Sequence, residues 1–427
     1  MVLENTSELL DLLHREVVPA IGCTEPVAVA LAVTKAREVL QEEAIRAELF
    51  LSRNILKNSM GVGIPGTGMI GLPIAIALGM VVGKSEYGLE VLKDMDPESL
   101  AEAKKIVDEK RTSVELKEDV LDKLYIEARC FGARGEAKVI ICGSHNNIAY
   151  VELNGDVIHD GFTNGNFQQV DSNEVQLDFN RIYDFALQAP VEELHFMLEA
   201  ARLNKMAAEE SRKGTFGHSV ARVIENESFR HLMGSSVYNR LVAVTASACD
   251  VRMAGAMVPV MSNSGSGNQG ITCTLPVVVF AEEMQKPEDD LVRALVLSHL
   301  MVIYIKRRLG RLSALCGVTV AGIGAACGIT HLMVGNRDQV AYAVKNMIGN
   351  ITGMLCDGAK PSCALKVSSS VSSAVFSAMM AMDNKVISSL EGIADADVDK
   401  TIKNLTDIGS TGMGEVDKMI LKIMTSK

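Results

Sequence analysis

The chain has 427 residues, 48% of them hydrophobic, and a formal net charge of -11, which is enough apolar material for one large core or two modest ones. With no basic run longer than Lys306-Arg307-Arg308, the acidic balance excludes non-specific attraction to phosphate backbones, and nucleic acid is not an expected partner. Nine cysteines without dense spacing, no Trp and no signal-like amino terminus argue against a disulfide scaffold and predict a reducing, cytoplasmic setting.

The first fifteen residues read as an amphipathic helix. Thr24-Glu25-Pro26 has the form of a capped helix start, with Pro tolerated and Glu favoured in the first turn, so Cys23 falls just before a helix N-terminus. Ile45 to Ser52 alternates like a strand and leads into Asn54 to Gly68, where the glycines of Lys57 to Gly68 predict an irregular loop and a candidate site wall. The runs Met69 to Gly83 and Ala294 to Ile305 are shorter than the ~20 apolar residues a spanning helix needs, so they read as buried core helices and no membrane partner is expected.

From about Ser113 to Asp178 the texture turns to short β-leaning pieces, including Lys138 to Cys142, Ile148 to Leu153 and Val157 to His159, with Asn-Gly turns at Asn154-Gly155 and Asn164-Gly165. From about Arg181 helical periodicity dominates, punctuated by Ser262 to Gly270, Gly310, Gly317 to Gly328 and Asp357 to Ser362. The expected fold is α+β and predominantly helical. A large helical catalytic lobe takes residues 1–44 and 180–427, and a smaller α/β lobe takes residues 45–179.

Four cysteines stand at chain turns: Cys23, Cys316, Cys356 and Cys363. Cys356 and Cys363 flank a tight turn that runs into a helix beginning near Ser362, and a helix start favours the metal-binding thiolate. Cys316 precedes the small-residue run Gly317 to Gly328, whose backbone can approach a bulky inorganic cluster. The competing reading is ordinary buried thiols. The structural zinc pattern and standard ferredoxin spacing are both absent. Cys130, Cys142, Cys249, Cys273 and Cys327 read as structural, with Cys327 the first exception to consider. The Gly/Ser/Asn stretch Asn263, Ser264, Gly265, Ser266, Gly267 and Asn268 precedes an apolar helix and can form an anion nest for a substrate carboxylate. Asn58 and Thr67 are further candidates for substrate contacts. His218 could cap a helix or act in proton transfer, the cap being favoured, and the 22 Met residues read as core filling.

Three segments, Ala20-Ile21-Gly22-Cys23-Thr24-Glu25-Pro26, Asn263-Ser264-Gly265-Ser266-Gly267-Asn268-Gln269-Gly270 and Gly353-Met354-Leu355-Cys356-Asp357-Gly358-Ala359-Lys360, resemble signatures of the L-cysteine desulfidases. These are relatives of the iron-sulfur L-serine dehydratase α-chain and of uncharacterised serine dehydratase-like bacterial proteins. The resemblance covers nearly the whole chain. It implies a [4Fe-4S] enzyme, independent of pyridoxal phosphate, that converts L-cysteine and water to pyruvate, ammonia and sulfide. Cys316 and Cys356 match the family's cluster cysteines. The third ligand is Cys23 on the desulfidase pattern and Cys363 on the serine dehydratase pattern.

A cluster iron lacking a protein ligand would supply the Lewis acid for elimination. A base must still take the α-proton, and Cys23, Glu25, Lys57 and Lys360 are all eligible. The alternatives are L-serine or L-threonine dehydration by the same cluster, a noncatalytic iron-sulfur or cysteine sensor, and a metal-free binding protein. Gly22-Cys23-Thr24-Glu25-Pro26 favours the desulfidase, because serine dehydratases carry a Ser/His-rich stretch there. Abundant small residues in the helical lobe suggest a homodimer.

Overall fold

The computed structural model describes residues 6–120, 122–162, 175–310 and 312–426; the expected Asn164-Gly165 turn lies outside the described residues. In chain order the first elements are α1 (Thr6–Glu16), β1 (Pro19–Ile21), α2 (Thr24–Leu40), β2 (Arg46–Leu51), α3 (Arg53–Ser59), α4 (Leu72–Val81), α5 (Pro97–Asp108), β3 (Thr112–Leu116), β4 (Tyr125–Phe131), β5 (Glu136–Cys142), β6 (Ile148–Leu153) and β7 (Asp156–Asp160). Then come α6 (Phe179–Gln188), α7 (Val191–Leu194), α8 (Leu198–Glu210), α9 (Val220–Ile224), α10 (Arg230–Met233), α11 (Val237–Met253), β8 (Pro259–Met261), α12 (Gly267–Glu283), α13 (Glu288–Leu309), α14 (Gly317–Leu332), α15 (Arg337–Ile351), α16 (Cys363–Met382), α17 (Val398–Asp407) and α18 (Gly414–Thr425). A π-turn, Ile408–Gly412, joins the last two.

The β part is a six-stranded sheet in the order β3-β2-β4-β5-β6-β7. The β2–β3 pair is parallel, joined by a crossover that carries α3, α4 and α5, and the other pairs are antiparallel. Strand alternation turns Ala47, Leu49 and Leu51 of β2 and Ala137, Val139 and Ile141 of β5 into one core, closed by α2 and α4. α2 is apolar on every side, Val27 to Val33 being wholly buried, because it packs against both the strands β4 and β5 and the helix α4.

The helical part is organised on α13. Its acidic first turn (Glu288, Asp289, Asp290) and basic last turn (Lys306, Arg307, Arg308) match the helix dipole, and Ala294 to Ile305 is buried as expected. α14 lies against α12, α13, α15 and α16. The glycines of α14 serve this packing. A Cβ on Gly324 would meet the carbonyl of Ser298 at 2.4 Å, one on Gly328 the carbonyl of Ala294 at 3.0 Å, and one on Gly322 the hydroxyl of Ser370 at 2.2 Å. Of the small-residue run expected to accommodate a cluster, therefore, several members instead let neighbouring helices approach. Among the described residues α16 has the length and apolar composition of a membrane-crossing helix; here it packs on α11, α14 and α15.

A two-stranded antiparallel ribbon, β1 with β8, pairs Pro19 with Met261 and Ala20 with Val260. It brings the residues after β1, Gly22 to Glu25, beside those after β8, Ser262 to Gly270. Gly22 is left-handed (φ 71°), and a Cβ there would meet Pro65 at 2.3 Å, so the turn into α2 depends on its missing side chain.

Candidate active site

The thiols come together. Cys23, Cys249 and Cys316 are buried in one apolar cluster with Val62, Val318, Val367 and Val371, and Cys356 and Cys363 pack against it. Cys316 and Cys356 are tied by main chain: an antiparallel bridge joins Leu315 to Leu355, Cys316 N–H donates to the Met354 carbonyl at 3.0 Å, and Cys356 N–H donates to the Ala314 carbonyl at 2.7 Å. Three thiols stand at helix starts. Cys23 precedes α2, Cys316 precedes α14, and Cys363 is the first residue of α16.

Thr24-Glu25-Pro26 does open a helix, but Cys23 rather than Thr24 takes the capping position, and it makes no side-chain capping bond. Its Sγ instead donates to Glu25 Oε2 at 3.1 Å.

Helix starts favour thiolates, yet burial outweighs them here. Burial, then the neighbouring Cys356 and Cys363, pushes the Cys316 thiol up to about 12. Burial likewise raises Cys363, against the pull of Lys360. Burial and the Glu25 carboxylate raise Cys23 well above its ordinary value, with Arg252 pulling the other way. Left to themselves these groups are neutral thiols, and a bound metal would ionise them. Cys249, on α11, also stands beside Cys363 and Cys316. Nothing in its mid-helix sequence context marks it. Cys327 lies in the main helical core, Cys273 near His299, and Cys130 and Cys142 in the sheet.

Glu25 is the hub of a buried polar network. Besides Cys23 it accepts from Thr24 Oγ1 at 3.1 Å and from Asn58 Nδ2 at 2.9 Å. Burial alone would raise its pKa, but the charge of His145 and the hydrogen bonds from Cys23 and Asn58 outweigh that and hold the carboxyl below its usual range. His145, from the β5–β6 connection, had no sequence signal. Thr24 Oγ1 also donates to the Gly265 carbonyl at 2.8 Å, tying the start of α2 to the loop after β8.

That loop is shorter than its composition suggests, because α12 already begins at Gly267, with Ser266 capping the Gln269 N–H. Ser264 holds a left-handed backbone (φ 49°), and its hydroxyl donates to Asn263 Oδ1 at 2.9 Å. Asn263 is fully buried against His299. Burial holds His299 neutral, with its pKa lowered to about 3.

Asn268 Oδ1 accepts from Arg252 Nη1 at 3.0 Å. Arg252, at the end of α11, is 3% exposed, and the sequence reading did not single it out. Asp250, two residues earlier, is committed elsewhere, accepting from the His218 and Val220 N–H groups at 3.0 and 2.8 Å. The capping role expected of His218 belongs to this carboxylate. Asn58 Oδ1, Arg252 Nε and Gln269 Oε1 are buried without a hydrogen-bond partner among the described residues, each costing about 1–3 kcal/mol unless a ligand or water completes it.

The remaining sequence candidates lie differently. Lys57 belongs to α3, not to a loop, and its ammonium is wholly buried against Asp417 Oδ1 (2.6 Å) and the Cys356 carbonyl (3.1 Å). Lys360 turns its ammonium onto Asp357 (2.5 Å) and the carbonyls of Asp357 and Gly358 (3.1 and 3.0 Å), while Lys366 pairs with the same Asp357 and donates to the Leu355 carbonyl at 2.6 Å. Burial would raise Asp357, but the two lysines hold it down to about 2. Both lysines therefore order the Cys356–Cys363 turn. Thr67 closes its own turn, donating to the Ile64 carbonyl at 2.8 Å.

Among the described residues no three His, Cys, Asp or Glu side chains are arranged to hold a single metal ion. Cys356 and Cys363 are near enough to Cys316, and Cys356 to Cys363, to raise those thiols further. Thiolates placed around a shared volume suit a cluster, where each binds a different iron.

Comparison with known sequences finds a match to the model of the serine dehydratase alpha chain over residues 86–422. Full-length relatives include UPF0597 proteins of Parabacteroides distasonis, 58% identical with 99% of this chain and 98% of that protein covered, of Bacteroides thetaiotaomicron, 55% identical with 100% and 99% covered, and of Aeromonas hydrophila, 42% identical with 99% and 96% covered. With its thiols, acidic network and glycine-rich loop gathered as described, the chain belongs to the serine dehydratase alpha chain family.

Proposed function

We propose that the chain is an iron-sulfur lyase that eliminates sulfide from L-cysteine, giving pyruvate and ammonia, with dehydration of L-serine or L-threonine as the related reaction of the same site. The supporting observation is the convergence of thiols remote in sequence, with Cys316 and Cys356 locked side by side by the Leu315–Leu355 bridge. Cys316 and Cys356 would hold a [4Fe-4S] cluster. For the third ligand the resemblance to desulfidases implies Cys23, whereas proximity to the pair favours Cys363. When bound, the cluster supplies a Lewis acid for the departing group.

The chain's own residues supply the rest. Lys57, Lys360 and Lys366 are engaged in ion pairs with Asp417 and Asp357, and the Cys23 thiol is proton donor to Glu25. Glu25, a buried carboxylate hydrogen-bonded to the Cys23 thiol, is the group able to accept the α-proton. The loop Asn263 to Asn268 and the first turn of α12 face the same region and favour an anion. The enamine product leaves as the imine and hydrolyses in water. Nothing in the chemistry requires nucleic acid or a membrane, and the expected homodimer and cytoplasmic location stand as part of the proposal.

Protein purified without oxygen should be brown and should release sulfide and pyruvate from L-cysteine. Cys316→Ser and Cys356→Ser should lose both colour and turnover; full activity in either variant overturns the assignment. Iron content of Cys23→Ser and Cys363→Ser separates the two candidates for third ligand.

A further inference from the structure

We propose that Arg252 recognises the α-carboxylate of the amino-acid substrate, holding it between the end of α11 and the first turn of α12; the assignment of an amino acid rests on the lyase reading above. The guanidinium is permanently charged and carries five donors, yet it is 3% exposed. One donor reaches Asn268 Oδ1, and Nε is buried without a partner. Among the described residues no carboxylate lies in ion-pair distance. Asp250 is engaged with two backbone N–H groups, and Glu25 with Cys23, Thr24 and Asn58.

A buried charge without a counter-ion is strongly unfavourable until an anion completes it. A planar fork of donors is matched by a carboxylate. The location fits the reaction. Arg252 lies on α11 with Cys249, which is buried in one cluster with Cys23 and Cys316, and its partner Asn268 follows the loop that Thr24 ties to the start of α2 through the Gly265 carbonyl, so a carboxylate bound to it places the rest of a small amino acid toward the thiols. Gly267 makes the room, since a Cβ there would lie 2.2 Å from Arg252 Nε. The N-terminus of the 17-residue α12 adds its positive end to the same spot.

The test is calorimetric titration of the anaerobically purified protein with L-alanine, which has no leaving group, and with L-alaninamide, which has no carboxylate. The wild type should prefer L-alanine by ~30-fold or more. Arg252→Gln should abolish the preference, Arg252→Lys should keep part of it, and Gly267→Ala, which retains every charge but displaces the guanidinium, should lose most of it. The thermal midpoint of Arg252→Gln should not fall, because the substitution removes an uncompensated buried charge; a purely structural arginine would lower it. In turnover, the KM for L-cysteine should rise ~30-fold or more while kcat changes less.

A preference for L-alanine that survives in Arg252→Gln, with or without loss of iron, overturns the proposal, as does a wild type with no preference. A wild type that shows the Arg252-dependent preference but releases nothing from L-cysteine or L-serine defeats the lyase reading and leaves this one standing. A wild type that turns over L-cysteine with the same KM in Arg252→Gln defeats this one alone.

Discussion

Glu25 and His299 show how burial can act in opposite senses on two side chains of one region. Glu25 keeps its charge because hydrogen bonds and the His145 charge outweigh burial, whereas His299 has no such compensation and stays neutral. Glu25→Gln keeps the shape and removes the base, so turnover should fall by roughly 10²–10⁴ while the fold persists, as steady-state kinetics with circular dichroism would show.

For His299, the unfolded chain takes up a proton near the ordinary value of 6.5, and the folded chain does not until about 3. Unfolding therefore binds a proton throughout that window, and stability contributed by the neutral imidazole is present above pH 6.5 and lost as pH falls toward 3. Denaturant midpoints between pH 7 and 4.5 should decline more steeply in the wild type than in His299→Gln. The motifs around Cys23, Cys356 and Asn263 were legible because they interrupt helices with residues that have no packing reason to be there. Arg252, His145 and Cys249 were not, because each sits in an ordinary local context and acquires its neighbours only through tertiary contacts.

Among the elements, the contact between α3 and α18 bears most directly on the site. Lys57 and Asn54 of α3 both bind Asp417 of α18, at 2.6 and 2.9 Å, and the same Lys57 holds the Cys356 carbonyl. Removing one partner leaves a charge in the interior, so Asp417→Ala should cost about 3–5 kcal/mol in chemical denaturation, and Lys57→Met with Asp417→Leu together should cost clearly less than Asp417→Ala alone. The glycines of Lys57 to Gly68 suggested a loop from the start, but α3 continues to Ser59 because its last turn is anchored by this ion pair. Strand β4 was hidden for a related reason: Glu127 breaks its apolar pattern, yet is 1% exposed, held by Tyr125, Lys117 and Arg129. Strands β5, β6 and β7, which carry no such buried charge, agree with the bounds read from the sequence to within one or two residues.

At the scale of the molecule, the site is assembled from both cores. The β1–β8 ribbon and α2 bring Cys23 and Glu25 from the sheet side, while α11, α12, α14 and α16 bring the other thiols and Arg252 from the helical side. A cofactor bound at such a junction stabilises the whole fold by mass action. The thermal midpoint of the anaerobic holoprotein should therefore exceed that of chelator-treated protein, and Cys356→Ser should abolish the difference; equal midpoints in the wild type would count against a cluster at this place. That the chain is predominantly helical with a small sheet could be read from the change in periodicity, but the way α2 joins the sheet could not, since an all-round apolar helix does not announce which neighbour it will bury against.

The Leu315–Leu355 bridge has one more implication. Because Cys316 and Cys356 are aligned by peptide groups, folding of the polypeptide is enough to bring this pair into register. On the proposed reading, maturation is then a delivery step onto a pair already in register, and protein that has lost its cluster should be refilled without prior unfolding.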